Sequence, residues 1–492
     1  MNLTKRRQVA PHPHDYLKTS LEGSMAAHDG PVISRRTILR TALGGCGAAL
    51  LAACGGSGTP TAQPASGAAA STAPQASGGA PTKLVFWRHQ YEPTDKALRE
   101  IIFPSAKAQL NIEFDFQVQR DADYKTTMLP QLASGGGPDI FEATDAFRIK
   151  FSKAGVYAPL DYGPWGGKAG WERYWQQGVV EALRVDGKDF TVPIEWTAIP
   201  VNLFVNSTHA QQVGLDGDIA KYQQTPITWA DLGPWAAKMT TKDASGNITR
   251  DGFLIQHGYG ADRTYAFWEP YFLQAGGKLL SEDGKTSTLD TAPGIAAMQN
   301  LSDYVFKHGA SMLRPQDKES GSAKMPKEET SSTTAMSQWA YGTFKQLAPD
   351  KWQTIRSLLA PQIDPAKPLY DSGPGWSYGV LAKSKNQAVA FKFLQFMVEK
   401  HGSDLFDGGI VAPIQGWTDK YAGFAKLPDA AVWKKLSEAA TPRVRPEVEL
   451  LTQVQRAEGF QRAFEAIMFN KADIKTEMTR WNKDVQEAVK GL

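Results

Sequence analysis

The amino-acid sequence predicts an α/β fold with parallel strands, arranged in two lobes. From residue 83 onward, short apolar segments alternate with segments of helical periodicity, which is typical of strands connected through helices. The segment 83–492 is long enough to bury two hydrophobic cores, and it contains no internal repeat. These features together indicate a two-lobed α/β protein.

Apolar patterning predicts the individual elements. Residues 84–87 predict a short buried strand, and residues 111–118 alternate apolar and polar as a half-buried strand does. Thr228 and Asp231 have capping-box spacing at the start of a helix. A third strand is predicted at 139–141, and further helices at 94–109, 124–132, 293–308, 388–399 and 447–489. The polar stretch 318–334 predicts a loop.

The first 53 residues resemble a bacterial export signal. Arg35 and Arg36 precede a short, glycine-diluted apolar stretch that is too short to span a bilayer. A twin arginine at this place is typical of signals that export folded proteins. The stretch ends in Leu-Ala-Ala-Cys, which resembles a lipobox, so we expect cleavage before Cys54 and a lipid on its sulfur.

Residues 54–82 predict a disordered, lipid-anchored linker. From Gly55 to Thr82 the chain has no charged residue and consists of Gly, Ser, Thr, Ala, Pro and Gln. Such a composition cannot bury enough apolar surface to fold. We therefore expect a tether between Cys54 and a globular body that starts near Lys83.

Charge and cysteine content exclude two classes of function. Residues 1–53 hold seven of the 54 Lys and Arg and three of the 51 Asp and Glu, so the remainder has a net charge of −1. Without a basic excess, nucleic-acid binding is excluded. Both cysteines, Cys46 and Cys54, lie in or beside the leader, so the body has neither a disulfide nor thiol chemistry.

Several ordered motifs carry a resemblance to a known family. They are a helix, glycine turn and Pro-Asp strand at 131–140, a "dGk-y-vP" hairpin at 186–193, a strand ending in Asn at 201–206, a "T-W-x-E-L" helix start at 228–232, an Ala-Met pair at 335–336 followed by Trp339, and Gly375-Trp376 before the helix at 388–399. Their order and spacing resemble the extracellular solute-binding proteins of ABC importers, the family that includes maltose-binding protein. Gln338 stands where that family usually has glycine.

The resemblance implies a type II periplasmic-binding fold, in which two lobes joined by crossing strands close on a ligand. The crossings would fall near 195–200, 359–372 and 408–416. Lobe one would then comprise 83–195 and 372–410, and lobe two 200–360 and 415–492. The expected partners are a small solute, for which we expect a sugar, and the membrane permease. The protein itself is expected to be a monomer.

Candidate ligand-binding residues lie where predicted strands end and at the crossings. A neutral polyol needs flat apolar faces for its C–H groups and planar polar groups for its hydroxyls. The candidates are Trp87, Arg88, His89, Asp145, Glu195, Trp196, Tyr259, Trp268, Trp339 and Trp376, with Glu142, Tyr265 and Tyr341 beside them. Glu195 and Trp376 are the first candidates, because side chains on a crossing strand or next to glycines are exposed to the cleft.

Structural roles remain open for several of these residues. Trp87 continues an apolar strand and fits a core position equally well, and Asp139 fits a cap for backbone N–H groups. His89 follows a charged residue and also fits a solvated surface position. Trp229 and Trp235 match the apolar stripe of their helix and are assigned to the core.

Two enzyme functions compete with solute binding. Residues 375–379 fit G-x-S-x-G, the serine-hydrolase elbow around Ser377, but the only later histidine is His401, with Glu399 just before it. A lipid-anchored carbohydrate-cleaving enzyme would need a carboxylate pair whose separation the sequence does not give. No metal-binding or phosphate-loop motif is present, so we expect no metal or cofactor and a separate chain as the importer's ATPase.

Overall fold

The computed structural model describes residues 79–133, 137–143, 145–199, 202–259, 261–314, 321–439, 441–442 and 453–490. The predicted signal peptide, Cys54 and most of the predicted linker lie outside the described residues. The strands are β1 Thr82–His89, β2 Ile112–Gln119, β3 Ile140–Ala143, β4 Thr191–Pro193, β5 Trp196–Ile199, β6 Asn202–Asn206, β7 Thr241–Lys242, β8 Ile248–Leu254, β9 Ser331–Met336, β10 Ile355–Leu358, β11 Asp371–Pro374, β12 Ser377–Val380 and β13 Thr441–Pro442.

Helices cover the sheets on both faces. Those of six or more residues are Glu92–Ala97, Phe103–Leu110, Asp145–Lys153, Lys168–Tyr174, Ser207–Gln212, Asp216–Gln224, Trp229–Ala237, Ala261–Gln274, Ala292–Phe306, Ala340–Leu347, Gln387–Asp407, Ala430–Ala439, Gln453–Asn470 and Ile474–Lys490. A π-helical turn, Leu98–Ile102, joins the first two. Among the described residues, none of the helices has the length and apolar character needed to cross a membrane.

The sheet of the first lobe has the order β2-β1-β3-β12-β4 in the described part of the chain. β1 runs parallel to β2 and β3, whereas β12 is antiparallel to β3 and β4. The carboxyl ends of β1, β3 and β4 and the start of β12 therefore meet at one edge. In open α/β sheets this edge is where ligands bind.

The described sheet of the second lobe has the order β10-β6-β9-β8-β7. β8 and β9 are parallel, and β6 is antiparallel to β9 with Asn202 opposite Met336. The chain enters this sheet at the start of β6, so the carboxyl ends of β8 and β9 lie at the edge nearest the connection to the first lobe.

Three short strands connect the lobes, in the order β13-β11-β5. β5 lies within the predicted first crossing, and β11 lies at the end of the predicted second one. The third strand of this sheet is Thr441–Pro442, which lies beyond the predicted third crossing at 408–416. Within 408–416, Val411 and Pro413 accept hydrogen bonds from the backbone of Trp196 and Gln176.

The predicted loop at 318–334 is wrong at its end, where β9 forms a central strand of the second sheet. Ser331, Ser332, Thr333 and Thr334 are all fully buried. Each hydroxyl donates to a backbone carbonyl, for example Thr334 Oγ1 to Leu254 O at 2.9 Å. Buried hydroxyls are tolerated when they are paired in this way, and a strand built from them has no apolar pattern to detect.

Tryptophan fills the cores of both lobes. The first-lobe core holds Trp165, Trp171 and Trp175 in mutual edge contacts. The second-lobe core contains Trp229 and Trp235, as the helix stripe predicts. Among the fourteen tryptophans, all within the described residues, only Trp339, Trp352 and Trp376 are half-buried rather than buried. The high tryptophan content therefore reflects mainly the two cores, and few tryptophans remain as candidates for the cleft.

Candidate ligand-binding site

Four side chains of the first lobe converge at the edge where β1, β3 and β4 end. His89 is the last residue of β1, Glu142 lies near the end of β3, Glu195 follows β4, and Trp376 immediately precedes β12. The strand register places Tyr378 opposite Glu142 and Ser377 opposite Pro193. The sheet topology, rather than proximity in sequence, brings these residues together.

His89 and Trp376 form a flat platform. Their rings stack with centroids 4.1 Å apart and planes 16° from parallel. The edge of Tyr124 supports Trp376 at 5.9 Å. The His89 side chain is 15 % exposed and Trp376 is half-buried, so both rings reach the surface of the edge. A supported aromatic face of this kind suits the C–H face of a sugar ring.

Glu195 lies beside this platform. Its Oε2 accepts a hydrogen bond from the Trp376 backbone N–H at 3.1 Å, and the Glu195 carbonyl accepts from Gly375 N–H at 2.9 Å. Gly375 is required here because a Cβ atom would lie 2.8 Å from the Glu195 carboxylate. The glycine before Trp376 therefore makes room for Glu195.

Arg88, a predicted ligand contact, is completely buried behind the platform. Its guanidinium pairs with Asp95 at 2.9 Å and with Glu142 at 3.4 Å, and the side chains of all three residues have no exposed surface. Burial by itself would lower the pKa of Arg88, but Glu142, Tyr378 and Asp95 raise it above its ordinary value. Arg88 is thus a buried cation that organises the two carboxylates.

The second lobe contributes Trp339 and Arg263 to the same region. Trp339 precedes the helix Ala340–Leu347, and the guanidinium of Arg263 lies 5.1 Å from the centre of its ring. Tyr91 of the first lobe donates its hydroxyl hydrogen to the Trp339 carbonyl at 2.5 Å. The charge of Arg263 makes a small contribution that lowers the pKa of Glu195.

Three further predicted contacts have rings that are buried in the structure. Trp87 packs with Tyr124 and Phe141, and its indole nitrogen is buried. Trp196 is only 8 % exposed and belongs to the first-lobe core. Trp268 is fully buried, stacks on Phe272 and donates to the Gly294 carbonyl at 3.1 Å. The neighbouring candidates Tyr265 and Tyr341 are also buried.

Two predicted residues are located only by their backbone. Asp145 begins the helix Asp145–Lys153, and Tyr259 ends the short turn His257–Tyr259. Both side chains lie outside the part that the structure describes. Asp139, by contrast, caps backbone as proposed, since its Oδ2 accepts from Val85 N–H at 2.8 Å.

Comparison with known families identifies the chain. A sequence profile described as bacterial extracellular solute-binding protein matches residues 91–404. This protein belongs to the bacterial extracellular solute-binding proteins. The match spans more than half of the chain and includes β2 to β12. The resemblance inferred from the ordered motifs is therefore confirmed.

Solved structures of solute-binding proteins share this fold. One from Thermotoga lettingae, bound with α-D-tagatose, has a TM-score of 0.69 at 19 % identity, covering 83 % of this chain and 100 % of its own. The GacH receptor of Streptomyces glaucescens, solved with acarbose, has a TM-score of 0.67 at 18 % identity, covering 84 % and 99 %. UgpB from Mycobacterium tuberculosis, in complex with glycerophosphocholine, also scores 0.67, at 17 % identity with 84 % and 99 % coverage. The predicted two-lobed type II fold is confirmed.

Sequence reasoning missed three residues of this solute-binding protein's interlobe region. Tyr91 leaves β1 two residues after His89, and the same signal that selected His89 could have selected it. Tyr124 supports Trp376 from a helical turn within the predicted helix 124–132, where no sequence signal marked it as part of the site. Gln338, the departure from the family glycine, donates to the Trp196 carbonyl at 2.5 Å and so links the second lobe to the first crossing.

The serine-hydrolase interpretation of residues 375–379 has no support in the contacts of Ser377. Its hydroxyl is buried and donates to the Ala143 carbonyl at 3.4 Å. His401, the required base, instead contacts Asp404 at 2.7 Å and Ser105 at 2.9 Å. The second glycine is explained by packing, since a Cβ at Gly379 would lie 2.1 Å from the ring of Tyr157.

A groove of about 660 Å³ lies elsewhere on the described surface. It is bordered by the loop around Trp417 and by helix ends, not by strand ends of both sheets. Trp417 is only 8 % exposed and offers no face for stacking. Lys434 and Asp419 on its rim pair with each other at 3.2 Å. We therefore assign the ligand site to the interlobe edge.

The charge of Glu195 predicts a pH-dependent stability. Burial raises the pKa of Glu195 above its ordinary value of 4.5, while the Trp376 N–H and His89 oppose the shift. Because the folded state then holds the proton more tightly, the contribution of Glu195 is complete below 4.5 and is lost as the pH rises through the folded pKa. We expect the unfolding free energy of Glu195→Gln, relative to that of the wild type, to increase between pH 4.5 and pH 7.

Urea unfolding at a series of pH values checks this expectation. Glu142→Gln is the matched control, because Arg88 and His89 overcome the effect of burial and lower the pKa of Glu142. Its contribution is present above the ordinary pKa and is lost in acid, so its variant should lose more stability at pH 7 than in acid. A constant difference between Glu195→Gln and wild type across this range would refute the assignment.

Proposed function

We propose that this protein is the lipid-anchored solute-binding component of an ABC importer. It captures a sugar or oligosaccharide by closure of its two lobes and delivers it unchanged to the membrane permease. The observation that supports this most is the His89–Trp376 platform beside Glu195 at the strand-end edge of the first lobe. Trp339 of the other lobe packs against Arg263 and is joined to the first lobe by the Tyr91 hydrogen bond. A ligand between these groups would contact both lobes and so favour the closed state.

The chemistry of the edge favours a neutral sugar over a phosphorylated solute. Aromatic faces from both lobes suit the apolar faces of sugar rings, and Glu195 is placed to accept from hydroxyls. A phosphate would need clustered cations. Of the two arginines that the sequence offers, Arg88 is committed to Asp95 and Glu142, which leaves Arg263 alone. The structural neighbours that bind tagatose and acarbose agree with this choice.

A carbohydrate-cleaving enzyme is a weaker candidate. Glycosidases need two carboxyl groups that reach the substrate. Glu142 has no exposed side-chain surface and accepts hydrogen bonds from both Arg88 and His89. Only Glu195 then remains of the two acids at the platform. The contacts thus support holding the solute rather than cleaving it.

Membrane attachment is proposed from the sequence. The twin arginine, the apolar stretch and Cys54 in the lipobox-like motif support export and lipidation, with residues 54–82 as tether. A flexible tether of about 28 residues has an r.m.s. span of about 30 Å. That reach lets a monomeric binding protein stay close to a permease at the outer face of the cell membrane.

A thermal-shift screen tests the proposed function. The full-length protein is mixed with mono- and oligosaccharides, polyols, amino acids and glycerophosphocholine, and each solute is recovered afterwards. We expect at least one saccharide to raise the melting temperature in proportion to the logarithm of its concentration above its Kd, and to be recovered unchanged. Recovery of cleaved saccharide would favour the enzyme, and a shift with glycerophosphocholine alone would contradict the sugar assignment.

A further inference from the structure

Behind the platform, one buried carboxylate collects hydrogen bonds from two consecutive residues of β1. Glu142 Oε2 accepts from the His89 backbone N–H at 3.1 Å, contacts His89 Nδ1 at 2.8 Å and pairs with Arg88 Nε at 3.4 Å. Arg88 is in turn held by Asp95 at 2.9 Å. The Tyr124 hydroxyl donates to the Glu142 carbonyl at 2.6 Å and fixes the same strand end.

This arrangement determines which nitrogen of His89 carries the proton. Arg88 and His89 lower the pKa of Glu142 despite its burial, so the carboxylate is ionised and can only accept hydrogen bonds. The nitrogen 2.8 Å from it, Nδ1, must therefore be the N–H. In the neutral imidazole the other nitrogen, Nε2, is then a hydrogen-bond acceptor. Nε2 has no hydrogen-bond partner among the described residues, although the side chain is partly exposed.

We propose that His89 contacts the solute through Nε2, and that Glu142 is the positioning residue that leaves this nitrogen as an acceptor. The inference rests on the proposed function, and it specifies the solute further. The group that meets His89 must be a donor, such as a sugar hydroxyl. A phosphate or carboxylate oxygen at this position would face a lone pair instead of a hydrogen.

Stacking on Trp376 makes the direction of this contact definite. The two rings are nearly parallel at 4.1 Å, and a half-turn of the imidazole about its bond to Cβ would replace Nδ1 by a C–H group at Glu142 and so lose that hydrogen bond. The acceptor nitrogen is thereby held in a ring plane parallel to the indole. A solute at the exposed rim of this stack would place a hydroxyl at Nε2 of His89.

Nuclear magnetic resonance of the ring nitrogens tests the positioning role without any ligand. Long-range ¹H–¹⁵N spectra of the full-length protein with ¹⁵N-labelled histidine are recorded in alkaline buffer, and the His89 signals are assigned by their loss in His89→Gln. We expect a proton on Nδ1 and a bare Nε2 in the wild type. Glu142→Gln should shift His89 toward the form with the proton on Nε2.

Another histidine provides the control in the same spectrum. His401 has both ring nitrogens occupied, by Asp404 and Ser105, and Glu142→Gln should leave its signals unchanged. A wild-type His89 with a bare Nδ1 would overturn the inference, and so would a Glu142→Gln spectrum identical to that of the wild type. If Glu142→Gln does not fold, the wild-type spectrum still decides the position of the proton.

Binding measurements test the contact itself. Maltose, maltotriose and D-tagatose serve as probes with His89→Gln, whose amide can place an oxygen near the Nε2 position, and with the shorter His89→Asn. We expect His89→Asn to bind about tenfold more weakly and His89→Gln within about threefold of the wild type, since one hydrogen bond is worth about 1.4 kcal/mol. Equal binding by all three proteins would overturn the contact. If no probe binds the wild type, the proposed function fails for these sugars, whereas the ring spectra still test Glu142.

Discussion

Replacing Trp376 with alanine is expected to abolish the saccharide-induced thermal shift. The substitution removes the indole that stacks on His89 and leaves no flat apolar face at the first-lobe edge. Loss of one such face should cost about 2–3 kcal/mol of binding free energy, or roughly 30- to 150-fold in Kd. The measurement is a titration of the saccharide that gives the largest shift with the wild type.

The unliganded Trp376→Ala protein should remain folded, because Trp376 is only half-buried. Its loss of unfolding free energy should be smaller than the about 3–5 kcal/mol typical of a buried tryptophan. Trp352→Ala is the matched control, since Trp352 is also half-buried but packs on Tyr341 in the second lobe. This control should keep wild-type affinity. Wild-type affinity in Trp376→Ala would show that the platform does not bind the solute.

Replacing Arg88 with methionine is expected to cause the largest loss of stability. Methionine fills much of the same volume but leaves Asp95 and Glu142 as buried carboxylates without their cation. Removing one partner of a buried ion pair typically costs about 3–5 kcal/mol. We expect a loss of this size in urea unfolding at neutral pH. The His89 ring signals should also change, because Glu142, which contacts His89, loses the guanidinium that pairs with it.

An exposed ion pair of the same lobe provides the comparison. Arg120 contacts Asp123 at 3.0 Å, with the two side chains 77 % and 50 % exposed. Arg120→Ala should change the unfolding free energy by no more than about 0.5 kcal/mol, since solvent screens such pairs. If Arg88→Met cost no more than Arg120→Ala, the buried network would not be the support for the platform that the contacts indicate.

Elements with a local signal were predictable from the sequence. β1 follows its apolar run, and the helix Trp229–Ala237 starts at Thr228, whose hydroxyl accepts from Asp231 N–H at 3.0 Å as the capping-box spacing predicts. A strand, β5, also lies within the segment 195–200 that the family motifs mark as the first crossing. In each case the information lies within a few residues of the element.

Features that depend on distant partners were not predictable. β9 has hydroxyls where a buried strand usually has apolar side chains, and those hydroxyls bond to carbonyls far along the chain. Arg88 was predicted as a ligand contact, because the sequence does not show that Glu142, 54 residues away, lies beside it. The third connecting strand has only two residues, Thr441–Pro442, too few to leave a pattern.

The candidate site shows the same division. His89, Glu195 and Trp376 lie together at one sheet edge, and strand ends and flanking glycines mark such positions in the sequence. Trp268 and Trp196 are buried, and composition does not distinguish a core indole from one in a cleft. Only the sheet topology separates the two groups.

Small-angle X-ray scattering of the full-length protein, with and without the best-binding saccharide, tests the central claim that two lobes close on a solute held between them. The account predicts a smaller radius of gyration in the presence of the saccharide, and no change for Trp376→Ala at the same concentration. A radius that stays the same while the wild type is demonstrably saturated would contradict it.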